Sequence, residues 1–469
     1  MKIWHKGEMK KEEKTDKQER LVGGIETFLQ EVMVVAQEVE EPRRERHPGR
    51  KRVLPALVLW SGVVVAVLKG LNSQRAIWRL VGLEGLWTYP VYEVTDQAVY
   101  DRLAAGDRGG LKRVFEQVGD GLKERLEPYV QKGIATFASG VYAIDGSTLD
   151  KVARHLPQLR GIATEDSRLL PGKLVGLFNI RYQQWEEVIH LANPNQNDKT
   201  VARELGQTLP EGSLILADMG FFSFAWFDWL TANRYGWLSR VREKTTYEVI
   251  HTYYQDGADL FDGLVWLGKY RADRAAHAVR LVTFTVGKTH FRYITNVLDP
   301  QQLSLHDIAV LYARRWDIEL AFKMVKRHLH LHLLWSAKNE IVLQQVWAVL
   351  ILSQILHAFQ MEIAGLAAVD PFDVSLALIT QYIPRLTQQG QDPVAVLVAK
   401  GEKFGFIRPS RRIRPQTPPV NLTQLAPLPP NTLLWRKPRY AQRRSQPKTE
   451  AETLNKAPPP QGIVWFPFC

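Results

Sequence analysis

Two aspartates stand where an apolar run ends: Asp145 closes VYAI and is followed by GST, and Asp218 closes LILA and is followed by MGFF. An acid at the end of a strand-like run lies at the carboxyl edge of a sheet, where α/β proteins bind their ligands, although a turn or a helix cap has the same local form. A third acid, Glu319, sits in LYARRWDIELAFKMVKRHLH. With about 100° of helix per residue, Tyr312, Arg315, Glu319 and Lys326 share an arc of about 60°. Beside it runs an apolar stripe of Leu311, Ile318, Phe322, Val325 and Leu329 that would pack on a sheet. A surface helix with an Arg315–Glu319 ion pair would give the same pattern. The chemistry this set suits is that of phosphodiesters. Carboxylate oxygens bind Mg²⁺ or Mn²⁺, and two such ions activate a water or a 3′-hydroxyl and stabilise the leaving oxygen. Arg315 and Lys326 would grip phosphate oxygens, one as a planar fork and one as a point charge, and Tyr312 would donate to another phosphate or stack.

Positioning these groups requires a sheet and a closing helix. After Gly140 come three strand-like runs, GVYAIDGS, GKLVGLFNIRY and EEVIHLAN, then a helix over 198–207, the strand SLILADMG, a helix over 223–233 and the strand GWLSRVR. This is the element order of an α/β, ribonuclease H-like core. Four further strand-like runs, YEVIHTYY, LVWLGKYRA, AVRLVTFTV and HFRYITNVL, precede a helix expected over 304–333, so a β-strand-rich insertion is expected to interrupt the core. The reading divides the chain into a charged leader (1–52, with an amphipathic helix over 25–39) and a helical domain that would bind DNA (53–135). A catalytic core (136–242 and 300–338) follows, interrupted by a β insertion (243–299). A helical carboxyl region (339–407) and a basic, Pro-rich, extended or disordered tail (408–469) complete it.

The spacing Tyr312, Arg315, Glu319, Lys326, with AIDGSTL and LADMGFFS upstream, resembles the Tyr-Arg-Glu-Lys pattern of DDE transposases of the insertion-sequence-four family. TDQAVYDRL is similar to that family's amino-terminal helical region, and the resemblance covers roughly residues 55–345. It implies a magnesium-dependent enzyme that cleaves double-stranded DNA at the inverted repeats ending a mobile element and joins the freed ends to target DNA. It also implies that Asp145, Asp218 and Glu319 hold two Mg²⁺ or Mn²⁺ ions, and that two protomers pair as a homodimer. An aromatic residue of the insertion stacks on a flipped base in such enzymes; Trp266 holds that place by position only, and its apolar neighbours Val265 and Leu267 favour a core tryptophan. The chain departs from many relatives at Met219, where they carry a basic residue. A nuclease without strand transfer would use the same carboxylates, and a non-catalytic DNA-binding protein would keep the surrounding cations.

Composition agrees with a polyanionic partner: 61 Lys and Arg against 49 acids give a formal charge of +12. Cys469 is the only cysteine, which excludes an intrachain disulfide and a thiolate metal cluster and points to a cytoplasmic home. The leader has no secretion signal. The uncharged stretch 53–68 falls short of the roughly 20 residues of a membrane span and reads as a buried helix. His328, His330 and His332 lack a further ligand at a zinc spacing and are expected to cover the DNA-facing end of the helix. Arg411, Arg412, Arg414, Arg443 and Arg444 of the tail would add salt-sensitive affinity for DNA or solubility.

Overall fold

The computed structural model describes residues 53–440 apart from 87–88, 108, 151–170, 270–272, 337 and 413. The 25–39 helix and Arg443 and Arg444 therefore lie outside the described residues. The first part of the chain is helical: α1 (Ala56–Leu68), α2 (Gln74–Arg79), α3 (Asp96–Ala104) and α4 (Gly110–Leu126). Ser73 and Thr95 start α2 and α3 by accepting the amides of Ala76 and Ala98, each at 3.2 Å, because the first amides of a helix have no partner within it. Residues 56–67 of α1 are buried throughout, as a stretch apolar on every face must be in water. Gly110 lets α4 begin against the ring of Trp60, where any Cβ would collide.

Nine strands follow among the described residues: β1 (Val141–Thr148), β2 (Lys173–Asn179), β3 (Gln184–Leu191), β4 (Leu214–Ala217), β5 (Gly236–Arg240), β6 (Tyr247–Asp256), β7 (Leu260–Leu267), β8 (Val279–Val286) and β9 (Thr289–Thr295). They form one sheet in the order β3-β2-β1-β4-β5-β9-β8-β7-β6. Strands β1, β4 and β5 are parallel, and the other pairs are antiparallel. The strand-rich stretch 243–299 thus adds to the sheet that carries the two aspartates, β9 pairing the edge that β5 would otherwise leave open. A buried Arg280–Asp262 pair at 2.6 Å ties β8 to β7, and Arg280 also donates to the carbonyl of Leu303.

Alternation along the strands sorts side chains to two faces. Tyr142, Ile144, Ile215, Ala217 and Trp237 pack on α5 (Ala202–Gln207) and α6 (Phe224–Ala232), with Phe227 stacked on Trp237 at 4.2 Å. Val141, Ala143, Leu214, Leu216 and Leu238 face the opposite layer, made of α7 (Leu305–Arg314), α8 (Trp316–Lys323) and α9 (Asn339–Ala367). The expected helix over 304–333 is interrupted at Arg315 and ends in a π turn, Met324–His328. Two shorter helices, α10 (Leu376–Gln388) and α11 (Pro393–Lys400), complete the carboxyl region.

One apolar cluster runs from Leu54 to Ile407, so the helical amino-terminal and carboxyl regions share a core with the sheet. Helix α9 explains why. It is long and apolar enough to cross a membrane by length and composition, yet 94% of its most apolar window is buried inside the protein. Several of its polar groups are matched to neighbours: Gln344 donates to Leu103, Gln345 to Leu333, and Ser353 accepts from Trp185.

Glu362 on α9 is buried as well, 3% exposed. Burial, with repulsion from Asp392, pushes its carboxyl up to about 7, against the pull of Arg125. A folded-state pKa above the unfolded value gives stability that is present at low pH and is lost as pH rises through about 7. Glu362→Gln is therefore expected to hold a flatter thermal midpoint across that window and to exceed the native protein at pH 8; parallel midpoint curves would refute this.

Candidate active site

The register Ile144↔Ala217 sets the next residues, Asp145 and Asp218, level with each other where the parallel pairing of β1 and β4 ends; Asp218 follows β4 as expected, whereas Asp145 lies within β1, which runs on against β2 to Thr148. Both follow the alternation of Val141–Ala143 and Leu214–Leu216, so both lie on the face covered by α7 and α8. Glu319 comes from α8 on that face. The three acids are close enough for Asp218 and Glu319 to repel a charge on Asp145.

Arg315, 6% exposed, sits at the junction of α7 and α8. It donates to Glu319 Oε1 at 2.7 Å and lies 3.8 Å from Asp145 Oδ2. Its guanidinium also lies over the rings of Tyr312 and Trp316, at 5.7 and 5.1 Å. Asp145 accepts from its neighbour Gly146 at 2.8 Å; burial nevertheless raises its carboxyl to about 6, the two nearby acids adding to the rise and Arg315 opposing it. Asp218 Oδ1 accepts the amides of Gly220 and Phe221, at 2.8 and 3.3 Å, capping the turn Met219–Phe221.

Among the described residues no set of three His, Cys, Asp or Glu is gathered closely enough to hold a metal ion. Glu319 is turned to Arg315, and Asp218 to its own turn. The donors are nonetheless of the right chemistry. Three carboxylates offer hard oxygens, and the penalty on ionising Asp145 beside two other acids is the penalty a divalent cation removes.

Tyr312 is 7% exposed and packs its ring on Tyr293 at 5.0 Å; burial pushes its hydroxyl up to about 12. Lys326, carried by the π turn, reaches back to the carbonyl of Thr148 at the end of β1, and burial lowers its pKa. Trp266 is not brought to the acids. It is 9% exposed on β7 in a cluster with Tyr253, Leu264 and Ala278, and the Arg436 guanidinium covers it at 4.6 Å. This is the packing of a core tryptophan. His330 has a left-handed backbone (φ 58°), and His332 Nδ1 meets the Lys326 carbonyl at 2.6 Å.

Three features were not legible beforehand. Asp198, ion-paired with Lys173, fills the space that the missing side chain of Gly146 leaves beside Asp145. Asp317, in the first turn of the helix that carries Glu319, is buried and bonded to Arg314, Arg412 and Gln183 at 2.7, 2.6 and 3.0 Å. The tail up to Tyr440 is tied down: Arg436 donates to the carbonyls of Ala275 and Leu267, and Tyr440 to Asp228 at 2.8 Å. Nothing in their local sequence, a polar loop, a charged helix and a Pro-rich tail, marks these roles.

Asp145 in β1, Asp218 after β4 and Glu319 on α8 share one sheet face, with Arg315 between Asp145 and Glu319, a set of groups that could serve phosphodiester chemistry. Residues 173–355 match the transposase DDE domain family. The matched stretch holds Asp218, Glu319, Tyr312, Arg315 and Lys326 and begins after Asp145. The fold is also similar to a piggyBac transposase in a synaptic complex with hairpin DNA, at 9% identity and a TM-score of 0.39, over 79% of this chain and 82% of that one. No curated protein matches the chain.

Proposed function

We propose that the protein is a transposase of the insertion-sequence-four type that cleaves double-stranded DNA at mobile-element ends and transfers the freed strand to a target. It would work as a homodimer in the bacterial cytoplasm. The observation that carries the reading is the convergence of Asp145, Asp218 and Glu319, from two parallel strands and a covering helix, on one face of a sheet. The strand order β3-β2-β1-β4-β5, antiparallel then parallel, supports a ribonuclease H-like core, and the DDE domain match supports the chemistry.

Asp145, Asp218 and Glu319 would hold two divalent ions, Mg²⁺ or Mn²⁺. When bound, these would supply Lewis-acid polarisation of the phosphate and a lowered pKa for the attacking water or hydroxyl. The chain's own groups do the rest. Arg315, freed from Glu319, offers its fork to a phosphate oxygen; its unpartnered Nε shows donor capacity to spare. Lys326 provides a point charge at the end of β1. Tyr312 remains protonated at neutral pH, so its hydroxyl is a donor and not a base.

The test is cleavage and joining of labelled DNA carrying the flanking element ends, with and without Mg²⁺. Joined product that requires the metal supports the transposase. Cleavage without joining assigns a nuclease instead, and binding with neither reaction assigns a non-catalytic DNA-binding protein.

A further inference from the structure

A cleft of about 1090 Å³ opens beside Met219, the residue after Asp218. Arg240 and Arg242 come to it from the end of β5, Lys244 from the following loop, and His290 and Arg292 from β9, with Glu243 and Asp273 as the acids of its lining. Pairing of Arg240 with Tyr293 across β5 and β9 keeps these cations on adjoining strands. The side chains are held in place: Arg242 donates to the Met219 carbonyl at 3.0 Å and lies over Phe222 at 5.4 Å, and Arg292 donates to the Glu243 carbonyl at 3.4 Å. Met219 in its lining directly follows Asp218, so the cleft adjoins the carboxylate site.

The cleft is not uniformly polar. Met219, in its lining and bonded through its carbonyl to Arg242, is 40% exposed. Cations that track a backbone, beside an apolar surface for base faces, suit an unpaired nucleic-acid strand, because a duplex keeps its base faces stacked inside.

We propose that this cleft binds an unpaired DNA strand next to the cleavage site, phosphates on Arg240, Arg242, Lys244 and Arg292 and a base against Met219. It rests on the transposase reading for its biological substrate. The place of Met219 gains a meaning: a basic residue there would add one more charge, whereas methionine offers contact surface to a base.

The experiment compares the native chain with the triple variant R242A/K244A/R292A, using a fluorescent single strand of about 20 mixed nucleotides and its duplex, in EDTA over a range of salt. Loss of three phosphate contacts is expected to lower the slope of log affinity against log salt by about 2 for the single strand, and to weaken binding on the order of 30-fold at physiological salt. Thr245, also in the lining, gives a second measurement. T245C, made in a C469S background because Cys469 is the only native cysteine, should crosslink to the single strand through a photoreactive label. Unchanged affinity and slope in a folded triple variant, or effects confined to the duplex, would overturn the assignment. Loss of single-strand binding in the variant, with no Mg²⁺-dependent cleavage by the native chain, would uphold the cleft and sink the transposase reading; failure of the native chain to bind either DNA would end both.

Discussion

Replacing Asp145, Asp218 or Glu319 by Ala is expected to lower Mg²⁺-dependent cleavage by about 10³-fold or more. A bound divalent ion supplies several kcal/mol of transition-state charge stabilisation, and about 1.4 kcal/mol corresponds to a decade in rate. The three acids would act as one unit, so the double variant D145A/D218A should be little worse than either single one. A second readout separates a metal ligand from a structural acid. Asp145 has a folded-state pKa of about 6, above its unfolded value, so its contribution to stability is full at low pH and is lost as pH rises through about 6. Without metal, Asp145→Asn should therefore be at least as stable as the native protein at pH 7.5. With Mg²⁺ the native protein alone should gain, since only it has the ligand. A denaturation series with and without Mg²⁺ decides the matter: a D145N variant that loses stability in EDTA would mark Asp145 as part of the scaffold, and equal gains from Mg²⁺ in both proteins would remove it from the ligand set.

The largest effect on stability is expected at Asp317, two residues before Glu319. Its carboxylate is buried and accepts from Arg314, Arg412 and Gln183. Removing one member of a buried ion pair typically costs about 3–5 kcal/mol, because the partner charge remains without its counter-charge. Asp317→Ala would leave two such partners, although Arg412 is 24% exposed and would recover part of its hydration. A loss of about 3 kcal/mol in urea denaturation is thus expected, with Asp317→Asn intermediate because the amide oxygen still accepts. Arg412 belongs to the tail, so the same substitution should speed proteolysis after residue 408. A D317A protein as stable and as resistant as the native one would show that the tail is not anchored to the helix of Glu319.

The acids, the cations near them and the element types were legible in the sequence because they depend on local rules. An apolar run closed by Asp places that Asp on or just after a strand: Asp218 follows β4, whereas β1 runs past Asp145 to Thr148. A period of 3.6 brings Arg315 and Glu319 together; they are indeed bonded at 2.7 Å. Which face of the sheet Asp145 and Asp218 occupy was not legible, since both faces of β1 and β4 are equally apolar: VYAI and LILA contain no polar alternation. Only the register Ile144↔Ala217 and the helix laid on one face decided it. The interruption at Arg315 and the π turn at Met324–His328 likewise escape a uniform helical wheel, because the apolar period is silent on them; the π turn packs on α9 and α10, distant in the chain.

The stretch 243–299 looked like an inserted domain because its strands follow one another without helices. That pattern is silent on what the first and last strands pair with, and β9 pairs with β5. The tail had the composition of an extended or disordered segment, poor in apolar periodicity, and its described part up to Tyr440 is held by contacts such a composition cannot announce: Arg436 over Trp266 and Tyr440 on Asp228. Trp266 shows the limit most clearly, since its neighbours in sequence fit either a core or a base-stacking role, and a cation 170 residues later covers its ring. By itself the sequence determined the candidate groups and the types of element that carry them, because residue type and local periodicity are properties of short segments. Sheet face, strand partners and the anchoring of the tail were decided by the tertiary structure alone, because they depend on contacts between segments far apart in the chain.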